Sequence, residues 1–330
     1  MRDRDTLSKV AGVAGALILC FSLPVLAEPT KKKDVADWSP PRLSDGQPDL
    51  NGIWNNVRAA HIPLEIPDEF LGVEMTPEER QAMVKARSDR GKARKWEGHD
   101  KSRGVGAYAN YWFDWYWEEP LAGSAPALLI EPKTGKMPEM TEAGQESVAY
   151  YREHLHDSYT TMEAGDRCLT RGIYGMMMPT AYNNGKMFFH NEGTLVILSE
   201  MIHNSRVIPI SSEPRPEGVE FLEGNPRGHW DGNTLVVQST HFRPVGNLRG
   251  PGSRAPQTPN RHVEERFTML DDETMRYELR VEDPGTYVEP WAVSFNYKKD
   301  SGYQQYEYAC HEGNYSVPNS LSGARVEDRE

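Results

Sequence analysis

The chain has 330 residues, 38% of them hydrophobic, with 24 prolines, 28 glycines and a formal net charge of −12. An acidic chain without a basic stripe repels phosphate backbones, which excludes nucleic acid as a partner. So many turn-formers disfavour long helices, no fixed-period repeat is present, and the length suffices for one large β-domain or two smaller ones.

Residues 1–27 read as a secretion signal. Arg2, Arg4 and Lys9 precede an apolar run from Val10 to Phe21, and Val25-Leu26-Ala27 forms a small-residue cleavage site before Glu28. A spanning helix needs about 20 apolar residues, and this run is shorter. Cys20 follows Leu17-Ile18-Leu19, too bulky for a lipoprotein cleavage site. The expected compartment is the periplasm, with no stable membrane span after cleavage. The signal holds three basic and two acidic side chains, so the mature charge is about −13. Two cysteines then remain, Cys168 and Cys310. An oxidising compartment favours a disulfide between them, worth about 4–5 kcal/mol on the chain-entropy view; the alternative is two buried free thiols.

Residues 28–44 form a polar leader with Lys31-Lys32-Lys33 and Pro40-Pro41. Residues 45–166 read as a helix- and aromatic-rich segment packing on a sheet. Asp45–Trp54 is a turn into a short strand, with Trp54 as a core plug. Thr76-Pro77-Glu78-Glu79 predicts a capped helix to about Lys95, with a thin apolar content that places it on the surface. The stretch from Tyr108 to Trp117 is the densest aromatic cluster. Packing over a barrel end weighs above ligand stacking there, and Trp115 is the candidate ligand contact. Thr141-Glu142-Ala143-Gly144-Gln145 opens a second helix ending near His154 and His156, which do not share a face and so do not form a metal pair.

Residues 167–320 read as an antiparallel β-domain. Apolar runs at Met187–Phe189, Thr194–Leu198 and Leu235–Val237 are broken by Asn191-Glu192-Gly193 and Asp231-Gly232-Asn233, and Asp271-Asp272-Glu273 is a further turn. Tyr277, Leu279 and Val281 alternate with Arg276, Glu278 and Arg280. In the preceding strand Val263, Phe267 and Met269 share their face with Glu265, a carboxylate aimed into an apolar layer. Such a group is either salt-bridged, to Arg206 or Arg227, or tuned for general-acid work. Gln305–Cys310 is expected as a late strand with Glu307 and His311 on one face. Residues 321–330 form a polar tail. The fold class is mainly β: an antiparallel barrel- or sandwich-like (lipocalin-like) sheet with two or three peripheral helices from the N-terminal half.

Several strings together resemble a large family of secreted bacterial proteins, frequent in soil and marine species. They are Asp49–Trp54, Arg167-Cys168-Leu169, Tyr182-Asn183-Asn184, Glu200–His203 with Arg206, and Trp230–Val237. Further matches are Glu265-Arg266-Phe267, Asp283-Pro284, Pro290-Trp291 and Glu307–Asn314. The resemblance spans most of the mature chain and implies no particular activity. Ser211–Pro216 stands where the family carries an Asp-Gly-Arg-Pro-His-like turn, and His229 stands at a position often basic.

Two functions follow from these residues. The first is a metal-independent acid–base enzyme (lyase, isomerase, hydratase or hydrolase) acting on a small organic molecule. His203 or His311 is its base, Glu265 or Glu307 orients that base or donates a proton, and no cofactor is needed. Tyr182, Asn183, Arg206, Arg227, His229, Trp230 and Trp115 would bind the substrate, the arginines receiving an anionic group. No serine elbow, zinc helix or phosphate loop is legible. A metal variant on His203, His311 and Glu312 lacks diagnostic spacing. The second is a non-catalytic binding protein that holds a lipophilic or aromatic ligand in its barrel. A carbohydrate-binding module resting on the aromatic cluster comes last.

Overall fold

Three two-residue turns set the register of the sheet. The side chains of Asn191 and Asp271 each accept the amide two residues on, and Gly232 supplies a φ of +60° at the third turn. The computed structural model describes residues 38–94, 113–114, 118–120, 125–251 and 254–329, without the side chains of 91–94. The expected signal, most of the leader, and Trp115 with most of the aromatic cluster lie outside these residues.

The strands are β1 (Gly52–Asn55), β2 (Leu129–Glu131), β3 (Gly185–Asn191), β4 (Thr194–Ser199), β5 (Ser205–Pro209), β6 (Asn225–Asp231), β7 (Thr234–Thr240), β8 (Val245–Arg249), β9 (Arg254–Gln257), β10 (His262–Asp271), β11 (Thr274–Glu282) and β12 (Trp291–Lys299). Nine of them run in the order β5-β4-β3-β1-β12-β11-β10-β7-β6, and β2 shares an edge of β12 with β1. All of these strand pairs are antiparallel. The path nearly closes on itself. Ile210, just past β5, makes a parallel bridge to Gly228 of β6, and the Ser211 amide donates to the Gly228 carbonyl at 3.1 Å. The fold is therefore a barrel of the expected class, and a sandwich is not formed. β8 and β9 form a separate hairpin.

Alternation along each strand sends one set of side chains inward. Trp54, Phe188, Phe267, Tyr277 and Tyr297 are fully buried. Their rings, with that of Phe295, meet at centroid distances from 5.1 to 6.5 Å, in tilted or edge-on contacts that each contribute about 0.5–1.5 kcal/mol. Side chains thus occupy the interior where a ligand-sized lumen was expected for a lipophilic guest. At the end of the barrel near Val263, Val281 and Trp291, a cavity of about 20 Å³ remains, room for roughly one water.

Among the described residues four α-helices flank the barrel: α1 (Pro77–Arg94), α2 (Glu142–Glu153), α3 (Gly172–Met177) and α4 (Ser316–Glu327). The capping box of α1 is made: the Glu79 amide donates to Thr76 Oγ1 at 3.2 Å, and the Thr76 amide donates to Glu79 Oε2 at 2.8 Å. Thr141 caps α2 by accepting from the Gly144 amide at 3.0 Å. α3 lies over the barrel end, where Tyr297 Oη donates to its Met177 carbonyl at 2.7 Å. α4 runs through much of the segment read as polar tail, and Arg325 anchors it to the carbonyls of His156 and Asp157. Residues 305–310 are not the expected late strand; they have no ladder partner. No helix among the described residues is long and apolar enough to cross a membrane.

Candidate functional site

β5 and β10 project one polar pair into the apolar interior. Arg206 and Glu265 meet in a bidentate ion pair, Nη1 to Oε1 at 3.0 Å and Nη2 to Oε2 at 2.6 Å. Tyr277 Oη donates to Glu265 Oε1 at 2.9 Å, and Glu223 lies 3.5 Å from Arg206 Nε. Thr170 and Asn204 both donate to Glu223 Oε1, extending the chain toward the surface. Burial alone would depress the Arg206 guanidinium, but Glu265 and Glu223 more than reverse this and fix its charge. The pair satisfies the expected salt bridge of Glu265, and Arg206 is the partner. A carboxylate so saturated is held in place and has no free lone pair aimed at a substrate.

This ion pair underlies the seam where β5 meets β6. Below the Ile210–Gly228 bridge the two strands separate, leaving a cleft of about 340 Å³ lined by Arg206, Val207, Phe221, Glu223 and Arg227. A second cleft of about 510 Å³ adjoins it, lined by Ser211, Ser212, Arg215, Arg227, His229 and Gln238. Arg227 borders both. Its guanidinium donates to Asn225 Oδ1 at 2.7 Å and to the Pro226 and Glu213 carbonyls at 2.8 and 3.3 Å. Arg215 donates to the Asn225 and Gln238 carbonyls at 2.7 and 2.6 Å. Among the described residues neither arginine has a carboxylate within ion-pair distance, although Glu213 lines the same cleft. Burial, then the neighbouring Arg227 charge, lowers the Arg215 guanidinium below its ordinary value.

The remaining candidates from the sequence lie elsewhere. His203 is exposed, with Nδ1 donating to the Tyr308 carbonyl at 2.6 Å. Glu307 and His311 are exposed, because residues 305–310 build no strand face to turn them inward. Asn183 donates to Glu200 Oε1 at 2.9 Å, and Trp230 sits 5.7 Å from the His190 ring on the inner side of β6. Tyr182 packs with Tyr308 against a buried cluster of Cys168, Met176, Met201 and Ile202. The Cys168–Cys310 disulfide is formed, with Cα atoms 5.7 Å apart across a separation of 142 residues. Cys168, Asn183, Ile202 and His203 all have positive φ near this cluster. For a β-branched residue such as Ile202 that backbone is strained, and it is held by burial. Among the described residues, no group of three or more His, Cys, Asp or Glu is placed to hold a metal ion, His203, His311 and Glu312 included.

No family model, no curated protein and no solved structure matches this chain. Its function therefore has to come from its own residues, and one titratable cluster was missed in the sequence. At the head of β3 the Lys186 side chain is buried, donating to the Asn184 carbonyl at 3.3 Å. Burial, only partly offset by the Glu200 carboxylate, brings its ammonium down to about 8. Tyr303 donates to Glu200 Oε2, and Asn184 Nδ2 lies 3.5 Å from Asp114 Oδ2. Burial, with the nearby Glu200 charge, raises the Asp114 carboxyl above the usual carboxylate range. The signal for Lys186 was available: period two places it on the inward face with Phe188 and His190.

Proposed function

We propose that the protein is a small-molecule binding protein whose ligand presents an oxyanion to the β5–β6 seam. The observation that carries this reading is the pair Arg215 and Arg227, side by side at one cleft and bonded only to neutral oxygens. A guanidinium is a rigid fork matched to carboxylate, phosphate or sulfate. Two of them in one concavity create a positive potential against an acidic chain, and an anion neutralises it. The hydroxyls of Ser211 and Ser212 and the His229 ring line the same cleft and offer further donors. Isothermal titration with inorganic phosphate, sulfate and citrate at low salt tests the reading. The wild type should bind at least one of these anions about ten-fold more tightly than the Arg215→Ala/Arg227→Ala double variant, and weaken steeply with salt. Equal affinities in the two proteins overturn it.

One observation favours a second reading, acid–base catalysis on a small organic molecule. Asp114 and Lys186 carry shifts in opposite directions, and Glu200 stands between them with a tyrosyl donor. Environments that push neighbouring groups apart are how one site holds both an acid and a base. In this reading Asp114 and Lys186 take the proton-transfer roles first read onto His203, His311, Glu265 and Glu307. Turnover found in an ester, lactone and enol-ether screen should disappear in Asp114→Asn and survive in His203→Ala and His311→Ala. The opposite pattern returns the role to the histidines.

A further inference from the structure

A second concavity lies beside α3, away from the seam. It has a volume of about 400 Å³ and is bounded by the chain around Ala60–Leu64, by Leu128, by Tyr174 and Met178, and by Arg87 of α1 and Arg249 of β8. Its floor is largely apolar: Ile62 and Leu64 follow a short 3₁₀ turn, Leu128 donates its amide to the Pro63 carbonyl at 2.8 Å, and Met178 ends α3. Backbone hydrogen bonds hold this floor, so the concavity is built into the fold. Two arginines, Arg87 and Arg249, border this one concavity. Arg206, Arg254, Arg261, Arg266, Arg280 and Arg325 each have a carboxylate partner. The side chains of Arg87 and Arg249 make no hydrogen bond or ion pair with any described residue.

We infer that this concavity is a binding site for an amphipathic carboxylate, a single acid group on an apolar body. The volume matches the lower part of the range for small-molecule sites and accommodates on the order of ten to fifteen non-hydrogen atoms. The apolar floor takes the hydrocarbon, which gains by leaving water. The unpartnered guanidiniums take the carboxylate at the rim, where a forked donor gives geometry as well as charge. A neutral apolar ligand would leave both cations unpaired, and a compact inorganic anion would leave the floor wet, so neither fits as well. The site does not depend on the seam: it shares no residue with either seam cleft.

The experiment is a calorimetric titration of the full chain with hexanoate, octanoate and decanoate below their micelle concentrations, with 1-octanol as the neutral control. Affinity should rise with chain length, and octanoate should bind at least ten-fold more tightly than octanol. Arg249→Ala and Arg87→Ala should each weaken octanoate by about 10- to 100-fold while leaving octanol unchanged. Both side chains are exposed and unpartnered, so these variants should keep the wild-type melting temperature. Ala60→Phe, which fills the concavity, should remove both ligands. Binding that is indifferent to Arg87 and Arg249, or absent for every chain length, overturns the inference. Octanoate binding lost in Arg215→Ala/Arg227→Ala and retained in Arg249→Ala also overturns it, and moves the ligand to the seam. Loss of phosphate binding at the seam with octanoate binding intact leaves this site standing by itself.

Discussion

Arg206 and Glu265 are joined through both terminal guanidinium nitrogens beneath the seam where β5 and β6 are linked by a single bridge instead of a ladder. β5 ends the sheet path at one side of the seam, and β10 is the third strand in from the other side. The ion pair therefore spans the gap from within and does the work that missing backbone hydrogen bonds would do elsewhere. Breaking it should be costly. Arg206→Met leaves Glu265 charged, buried and unpaired, for a loss of about 3–5 kcal/mol in urea denaturation. Replacing the pair and its tyrosine with Arg206→Met, Glu265→Leu and Tyr277→Phe should recover most of that loss, because no fully buried charge is then left unpaired; Glu223, at the edge of the group, loses Arg206 but keeps its Thr170 and Asn204 donors. A triple variant as unstable as the single one would refute the latch.

Lys186 makes stability depend on pH in a definite direction. Its ammonium is drawn from 10.5 down to about 8 by burial. Between those values the unfolded chain binds the proton and the folded chain does not, so stability rises with pH through this window. The gain is about 3 kcal/mol at most, and below pH 8 the penalty of burying the charge is fully present. Lys186→Met should be more stable than wild type at pH 7, and the difference should shrink toward pH 10.5. Urea midpoints of both proteins across that range decide it; a constant difference would show that the buried amine is not the cause.

The disulfide ties residues 303–315, which have no strand of their own, to the turn at Cys168. Reduction, or Cys168→Ser with Cys310→Ser, should lower stability by about 2–5 kcal/mol. Limited proteolysis should then cut first between Tyr303 and Tyr315. Alkylation of the unreduced, denatured protein should leave Cys168 and Cys310 unmodified by mass.

Gly246 supports α2 by having no side chain. A Cβ there would lie 1.6 Å from the ring of Tyr151, so Gly246→Ala must displace that ring and lift α2 off β8. The expected loss is about 1–3 kcal/mol in thermal or urea unfolding. Tyr151→Ala should suppress most of the effect in the double variant, a coupling that two independent sites would not show.

Much of the sheet was legible because a two-residue period is a local property. The turn at Asn191-Glu192-Gly193, the β11 alternation and the inward aim of Glu265 each follow from a few neighbouring residues, and all three are present. The capping box of α1 is equally local. The convergence expected of His203, Glu307 and His311 with the arginines was a statement about distant segments. It depended on residues 305–310 being a strand, and chain held by a disulfide and a few side-chain contacts presents no alternating faces. Lys186 is masked in the sequence for the opposite reason: it directly precedes the apolar run beginning at Met187, so the run reads as ending before it although it shares the inward face of Phe188. Arg87 and Arg249 are far apart in sequence, and only the folded arrangement brings both to the border of one concavity.

β1 lies near the beginning of the described chain and yet sits between β3 and β12, the last strand. Remove it, and the sheet falls into two separate meanders, β3-β4-β5 and β6-β7-β10-β11-β12. During synthesis β1 leaves the ribosome first, but its second edge stays open until Lys298 and Lys299 have been made. A nascent chain arrested before Trp291 therefore displays a bare strand edge, the sort of surface that holdase chaperones recognise and that otherwise seeds association between chains.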